Sequence, residues 1–468
     1  MNILDKLIEW FDERTGLKKP IVDMMVHPVP RNANWMYVLG SATLTSLVVQ
    51  LVTGVCLATL YIPSASAAHQ SLWYITTQAP FGSLVRGIHF FGASSMVLFV
   101  GLHALRVYLT ASYKFPRELN WLTGVILLFT TVAIAFTGQV LRWDQTAVWT
   151  VAVGAEQALR MPVIGKYLVN VLMSGGTINS QTLSHFFALH VFIFPAVLLS
   201  VLGLHLWLVL YNGISEPPVT GKPVDPKTYK KEYHELVTTT GKPFWPDAAW
   251  RDVVFSTALV SVIVALAIFI GPPHIEKPPD PSIVNAMPKP DWYLLWYFSL
   301  LAITPHRAED YLIILGPLLA IIGLLIVPFI NNKGERSVKR RPWAIAYVVL
   351  ISTFIGTLLV EGFREPWTPA FSAVPLPKEI IGADSGPVYD GAQVFNERGC
   401  LYCHMISGHG GERGPDLTDV GDRLTHDQIV IRIVNGGYNM PGYAGNISPK
   451  DLASITTFLE SRKVYMQK

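Results

Sequence analysis

The chain has 468 residues, 51% of them hydrophobic and only 15% charged, where soluble domains carry about 25% charged residues. With a mean hydropathy of +0.37, this excludes an ordinary soluble protein and predicts a polytopic membrane protein. The net charge of +3 is too small to argue for nucleic acid, and three cysteines cannot build a disulfide framework.

In chain order, residues 1–34 are polar and charged and lack the pattern of a signal peptide. The first apolar run begins at Trp35 and is long enough to span. Spanning takes roughly 20 apolar residues, and seven runs qualify, near 35–60, 84–109, 121–141, 184–210, 252–271, 311–330 and 343–361. Trp292–Ile303 is apolar but too short, and reads as interfacial or re-entrant. Loop charge orients the set. The loops on the N-terminal side hold eighteen Lys and Arg, and the opposite loops hold six over a similar length. The N-terminus is therefore expected inside and everything after Glu361 outside. A Pro-rich connector, Glu365 to Pro387, leads into about 80 residues of soluble composition.

The second run carries His89 and His103, fourteen apart; the fourth carries His190 and His205, fifteen apart. At 1.5 Å per residue these intervals are about 21 and 22 Å, two levels inside one membrane. Fourteen residues end about 40° short of four full turns, so both imidazoles stay on one helix face. One such histidine reads as an interhelical hydrogen-bonding residue. Four at matched depths read as two bis-histidine haems b stacked across the membrane, because ionisable groups in a bilayer are costly and usually functional. Both helices run from outside to inside, which pairs His89 with His190 near the outer face and His103 with His205 near the inner one. His185, five residues before His190, has no partner level on the second helix and ranks as a supporting residue. Gly40 and Gly54 on the first run, and Gly124 and Gly138 on the third, repeat the fourteen-residue interval. Glycines are expected there if helix backbones must make room for a flat macrocycle.

Cys400-Leu401-Tyr402-Cys403-His404 is C-x-x-C-H, the pattern of covalent c-type haem attachment, with His404 as one axial ligand. A zinc site competes with this reading, but the second C-x-x-C of a zinc ribbon is missing. Helices are expected over Asp390–Arg398 and Pro449–Arg462. Between them Met440-Pro441 offers a thioether as the sixth ligand, which would raise the haem potential. Met405, His409 and His426 are the other candidates.

These residues resemble the cytochrome b of Rieske/cytochrome b (cytochrome bc) complexes. The likeness rests on Arg86-Gly87-Ile88-His89, Leu105-Arg106-Val107-Tyr108-Leu109-Thr110, Pro116-Arg117-Glu118-Leu119, Trp143-Asp144-Gln145 and Pro290-Asp291-Trp292-Tyr293. The last stands where the family carries its P-E/D-W-Y quinol-site motif. The resemblance implies an all-α membrane protein: a dihaem four-helix domain (1–215), a cytoplasmic connector (216–251), a three-helix quinol-site domain similar to the separate subunit IV (252–362), a linker (363–386) and an outer class I cytochrome c domain (387–468). It implies Arg86 and Arg106 beside the haems, and Asp291 as proton acceptor for quinol oxidation, with Tyr293 and Asp144 as polar helpers. The implied cofactors are two haems b, one covalent haem c and quinone/quinol, with a [2Fe-2S] cluster on a separate Rieske protein, whose ligands this chain lacks.

By the same resemblance, the activity is quinol:cytochrome c reduction with electron bifurcation and proton translocation. It would run in a dimeric complex of the bacterial cytoplasmic membrane, with a cytochrome c or another oxidant as partner. A linear quinol dehydrogenase or quinone reductase, and a non-catalytic electron-transfer anchor, are the alternatives. Several positions depart from the family. Val38 stands where the photosynthetic branch has the cysteine of an extra haem, and Cys56 in the same helix reads as packing. Leu210 replaces a basic residue near the inner quinone site, His185 an arginine near the outer haem, and Arg142 the proline before Trp-Asp-Gln. Asp291 in place of Glu is frequent in relatives that use menaquinol.

Overall fold

The computed structural model describes residues 3–174, 178–279, 289–364, 373–411, 414–437, 440 and 442–463. Part of the expected linker, 365–372, and Pro441 lie outside the described residues. Among those described, seven helices are long and apolar enough to cross a membrane: Trp35–Ala58, Gly82–Leu109, Glu118–Val140, Ser180–Asn212, Phe244–Phe269, Ala308–Ile330 and Pro342–Arg364. They match the seven expected spans, and the short apolar stretch forms a separate helix, Trp292–Ile303.

The spans bury small and polar residues and expose aliphatic ones. In the first, Ser46 and Thr53 are buried while Val48, Val52 and Val55 are more than half exposed. This inverts the soluble pattern and suits a lipid surround, where apolar side chains gain nothing by leaving the surface and close packing plus hydrogen bonds hold helices together. Ser46 Oγ and Ser95 Oγ, 3.0 Å apart, join the first span to the second. Ser41 Oγ donates to Asp252 Oδ1 at 2.6 Å and Thr45 Oγ1 to Ser256 Oγ at 2.8 Å, joining the first to the fifth. Trp121 Nε1 donates to Leu324 O at 2.6 Å, joining the third to the sixth. The seventh lies along Trp292–Ile303.

Between the third and fourth spans two surface helices, Gln145–Leu159 and Gly165–Met173, cover one end of the bundle. At the other end Arg117 closes the loops: its guanidinium donates to Gly213 O, Asn212 O and Tyr229 Oη. A two-residue strand pair, Pro28–Val29 with Lys242–Pro243, fastens the N-terminal segment to the connector before the fifth span.

The C-terminal domain has its own core. Helix Pro387–Glu397 crosses helix Pro449–Glu460 at Phe395 and Phe458, whose rings lie 5.7 Å apart. Gly391 makes the crossing possible, since a Cβ there would sit 2.0 Å from Ser454 O. Leu401, Ile406 and Ile455 complete the core. A small hairpin, Met405–Ile406 with His409–Gly410, follows the C-x-x-C-H turn.

Candidate functional site

The four bundle histidines fall at two levels, and each stands against one of the four glycines. A Cβ on Gly54 would lie 3.3 Å from His89 Cε1, on Gly40 3.3 Å from His103 Cε1, on Gly124 3.6 Å from His205 Cε1, and on Gly138 2.6 Å from His190 Cε1. Each of the four glycines thus makes room for an imidazole. The His89 and His190 ring centres are 6.3 Å apart. A metal bonded to one nitrogen of each ring at about 2 Å leaves ring centres roughly 6 Å apart, so this pair fits one iron between them.

Three of the rings are held by threonines that the sequence reading did not single out. Thr53 Oγ1 lies 2.9 Å from His89 Nδ1, Thr123 Oγ1 2.8 Å from His205 Nδ1, and Thr137 Oγ1 3.2 Å from His190 Nδ1. Each hydroxyl donates its single proton to its own helix, to Val49 O, to Leu119 O or Asn120 O, and to Ala133 O or Ile134 O respectively. Its oxygen can then only accept, so Nδ1 carries the proton and Nε2 keeps a free lone pair. His190 Nδ1 also reaches Ile134 O at 2.9 Å, which demands the same tautomer. This is the ligating form of histidine, oriented from behind. A signal was present in the sequence: each of these threonines immediately precedes one of the spaced glycines.

One π turn, Leu189–Ile193, contains His190. A π turn accommodates one extra residue. The fifteen-residue interval on the fourth helix therefore comes into register with the regular fourteen-residue interval on the second.

Arg106, three residues past His103, lies over the Tyr37 ring at 3.8 Å. Its Nε and Nη2 are buried without a hydrogen-bond partner among the described residues. Such nitrogens suit the carboxylates of a haem edge. Arg86, three residues before His89, is buried and donates to Thr76 Oγ1 at 3.2 Å. His185 turns away from the His89–His190 level, with its ring nitrogens on Ser174 Oγ and Val171 O. Val38 is buried, whereas Cys56 and Leu210 are exposed on span surfaces.

At the end of the third span, Asp291 comes to rest on residues far away in the chain. Its backbone N–H donates to Gln139 Oε1 at 3.1 Å. Tyr293 Oη lies 3.1 Å from both Asp291 Oδ2 and Ala135 O, two acceptors for one proton. Gln139, unremarked in the sequence, is the neighbour of Gly138, so this cluster adjoins the His190 level. Arg142 stands between two carboxylates, with Nε 3.6 Å from Asp144 Oδ2 and Nη1 4.0 Å from Asp291 Oδ1. Asp144 also caps helix Gln145–Leu159 through Ala147 N. Burial pushes its carboxyl above the ordinary range, against the pull of Arg142. Thr146 at the same helix start donates to Glu276 Oε2 at 2.8 Å.

In the C-terminal domain a cavity is lined by Cys400, His404 and Met440 together with Phe395, Leu417 and Tyr443. Met405, His409 and His426 are not among its described lining residues, nor is Cys403. His426 is instead 3.2 Å from Glu460. His404 Nδ1 donates to Pro415 O at 2.8 Å, leaving Nε2 free, and partial burial draws its pKa below the usual imidazole value. Burial holds the Cys400 thiol up at about 12. A pocket with a thiol, an oriented imidazole, a thioether and apolar walls fits a covalently held haem.

Seven spans, a bundle with two histidine levels and a C-terminal domain with a C-x-x-C-H pocket define an integral-membrane cytochrome. Three family descriptions match successive stretches: Cytochrome b/b6/petB over residues 24–213, Cytochrome b(C-terminal)/b6/petD over 279–374, and Cytochrome C oxidase, cbb3-type, subunit III over 386–459. The chain is 41% identical over 212 residues to cytochrome b6 of Heliobacterium mobile, covering 45% of this chain and 100% of that protein. It is 30% identical over 371 residues to cytochrome b/c1 of Bradyrhizobium diazoefficiens, covering 76% of this chain and 51% of that protein. A solved structure, a hyperthermophilic respiratory Complex III, is similar with a TM-score of 0.65 at 26% identity, over 77% of this chain and 92% of that one. The chain belongs to the cytochrome b/b6 family, carries a fused cytochrome c domain, and is a haem-dependent subunit of bc-type electron transfer in a membrane.

Proposed function

We propose that this chain is the cytochrome b/c subunit of a quinol:cytochrome c oxidoreductase. It oxidises membrane quinol, menaquinol by preference, at the outer face of a bacterial cytoplasmic membrane, and divides the two electrons between a Rieske partner and the bundle. The cluster of Asp291, Tyr293 and Gln139 beside the His190 level is the observation that carries this reading. Quinol oxidation releases two protons with its two electrons, and a carboxylate at the membrane edge next to an electron-accepting level serves both needs. His89 with His190 and His103 with His205 would hold two haems b; Cys400, Cys403, His404 and Met440 would hold a haem c. When bound, these groups supply one-electron carriers at two membrane depths and outside.

The protein's own part is to place and move protons. Asp291 accepts the quinol proton. Tyr293 exchanges its hydrogen bond between Asp291 and Ala135 O, so that a protonated Asp291 remains partnered. Gln139 keeps the Asp291 backbone at the end of the third span. A homodimer, an inside N-terminus and an outer C-terminal domain complete the reading.

The test is oxidant-induced reduction. In membranes with quinol present and the inner quinone site inhibited, a ferricyanide pulse is expected to reduce haem b transiently while haem c is oxidised. Simple oxidation of both would assign a linear quinol dehydrogenase instead. For the outer domain, Met440→Ala is expected to lower the haem c midpoint potential on the order of 100 mV, with covalent attachment intact in a denaturing gel stained for haem. An unchanged potential would remove Met440 from the ligand set.

A further inference from the structure

One cation and two buried or half-buried carboxylates meet at the outer end of the third span, and the cation, Arg142, has no counterpart in the Pro-Trp-Asp-Gln pattern that the sequence otherwise resembles. We propose that Arg142 is a positioning residue of quinol oxidation: it shares its charge between Asp144 and Asp291 and thereby sets how readily Asp291 takes up a proton. The inference rests on the reading of Asp291 given above and deepens it.

The geometry is specific. Asp144 has a side chain 1% exposed, and its Oδ2 has no hydrogen-bond partner among the described residues. Arg142 Nε is likewise buried without one, and the two atoms are 3.6 Å apart. The pair is held by charge at a distance, so the guanidinium is not committed to Asp144 by a hydrogen bond. Its Nη1 arm lies 4.0 Å from Asp291 Oδ1, on a residue 23% exposed where substrate could reach it. Opposite charges this close favour the ionised, proton-accepting carboxylate. The other groups acting on the cluster are Tyr293 on Asp291, and Arg86, Glu276 and His69 on Asp144 and Arg142. None of these bridges the two carboxylates.

The experiment is the pH dependence of quinol:cytochrome c reduction by the whole complex, with haem spectra recorded for every variant. Arg142→Gln is expected to move the acid limb to higher pH by about one unit, and Arg142→Lys to restore most of the shift, since charge rather than a bidentate fork is required. Asp144→Asn retains a good helix cap and leaves the guanidinium to Asp291 alone, so its acid limb is expected to move the opposite way. Should Arg142→Gln fail to assemble its haems, the Asp144→Asn shift decides the matter by itself. Acid limbs that coincide in wild type, Arg142→Gln and Asp144→Asn overturn the inference. Asp291→Asn separates the two ideas. If it abolishes turnover while the Arg142 and Asp144 variants keep the wild-type limb, only the role of Arg142 falls. If it leaves turnover unchanged, the reading of Asp291 itself falls.

Discussion

A Gly138→Ala protein is expected to lose the haem b proposed for His89 and His190 while keeping the one proposed for His103 and His205. The added Cβ would stand 2.6 Å from His190 Cε1 and 3.3 Å from both ring nitrogens, so the imidazole has to move. It has little freedom to do so, because Nδ1 is tied to Ile134 O at 2.9 Å and Thr137 Oγ1 at 3.2 Å. Overpacking of this kind costs about 1–3 kcal/mol, which corresponds to a roughly 5- to 150-fold loss of haem affinity at 1.36 kcal/mol per decade. Gly124→Ala is the internal control: its Cβ would lie 3.6 Å from His205 Cε1, ordinary contact, and both haems should persist. Pyridine haemochrome quantitation with redox titration of the b bands reads the result. Equal b-haem content and potentials in the two variants would falsify the assignment of Gly138 to the outer level.

Asp291→Asn is expected to slow quinol oxidation about 100-fold or more, the scale on which a positioned proton acceptor contributes, with all haem spectra unchanged. The substitution preserves shape and the backbone bond to Gln139 Oε1. It leaves Tyr293 Oη an amide neighbour and removes the charge that faces Arg142. Steady-state turnover and a stopped-flow measurement of haem b reduction by quinol distinguish the chemical step from assembly. Wild-type rates in both would take Asp291 out of the chemistry and leave Tyr293 and Asp144 as the remaining polar groups of the turn.

Both expectations depend on features with very different visibility in the sequence. The seven spans were legible because bilayer thickness dictates run length, and six of the seven helices start and end within a few residues of the expected limits, the fifth starting eight residues earlier. His89, His103, His190 and His205 stood out because ionisable residues at equal depth on two helices are improbable without a purpose. Gln139 was invisible for the opposite reason: a polar residue near a helix end is unremarkable until the chain around Asp291 returns to it. The threonines are inconspicuous for the same reason, although each directly precedes one of the spaced glycines. His185 ranks as a supporting residue in the sequence because no second-helix residue shares its level, and its ring turns to Ser174 and Val171.

Sequence alone determined what depends on local periodicity and composition: membrane insertion, the spacing of the histidine levels, the C-x-x-C-H turn and the separate C-terminal domain. These follow from a fixed rise per residue, a fixed bilayer thickness and a fixed attachment pattern. Only the tertiary structure decided what depends on residues distant in the chain. The π turn at Leu189–Ile193 reconciles a fifteen-residue interval with a fourteen-residue one, and no periodicity argument locates it. The sharing of Arg142 between Asp144 and Asp291 spans nearly 150 positions. Charge acts through space over a few ångströms, and which charges come that close is settled only when the helices pack.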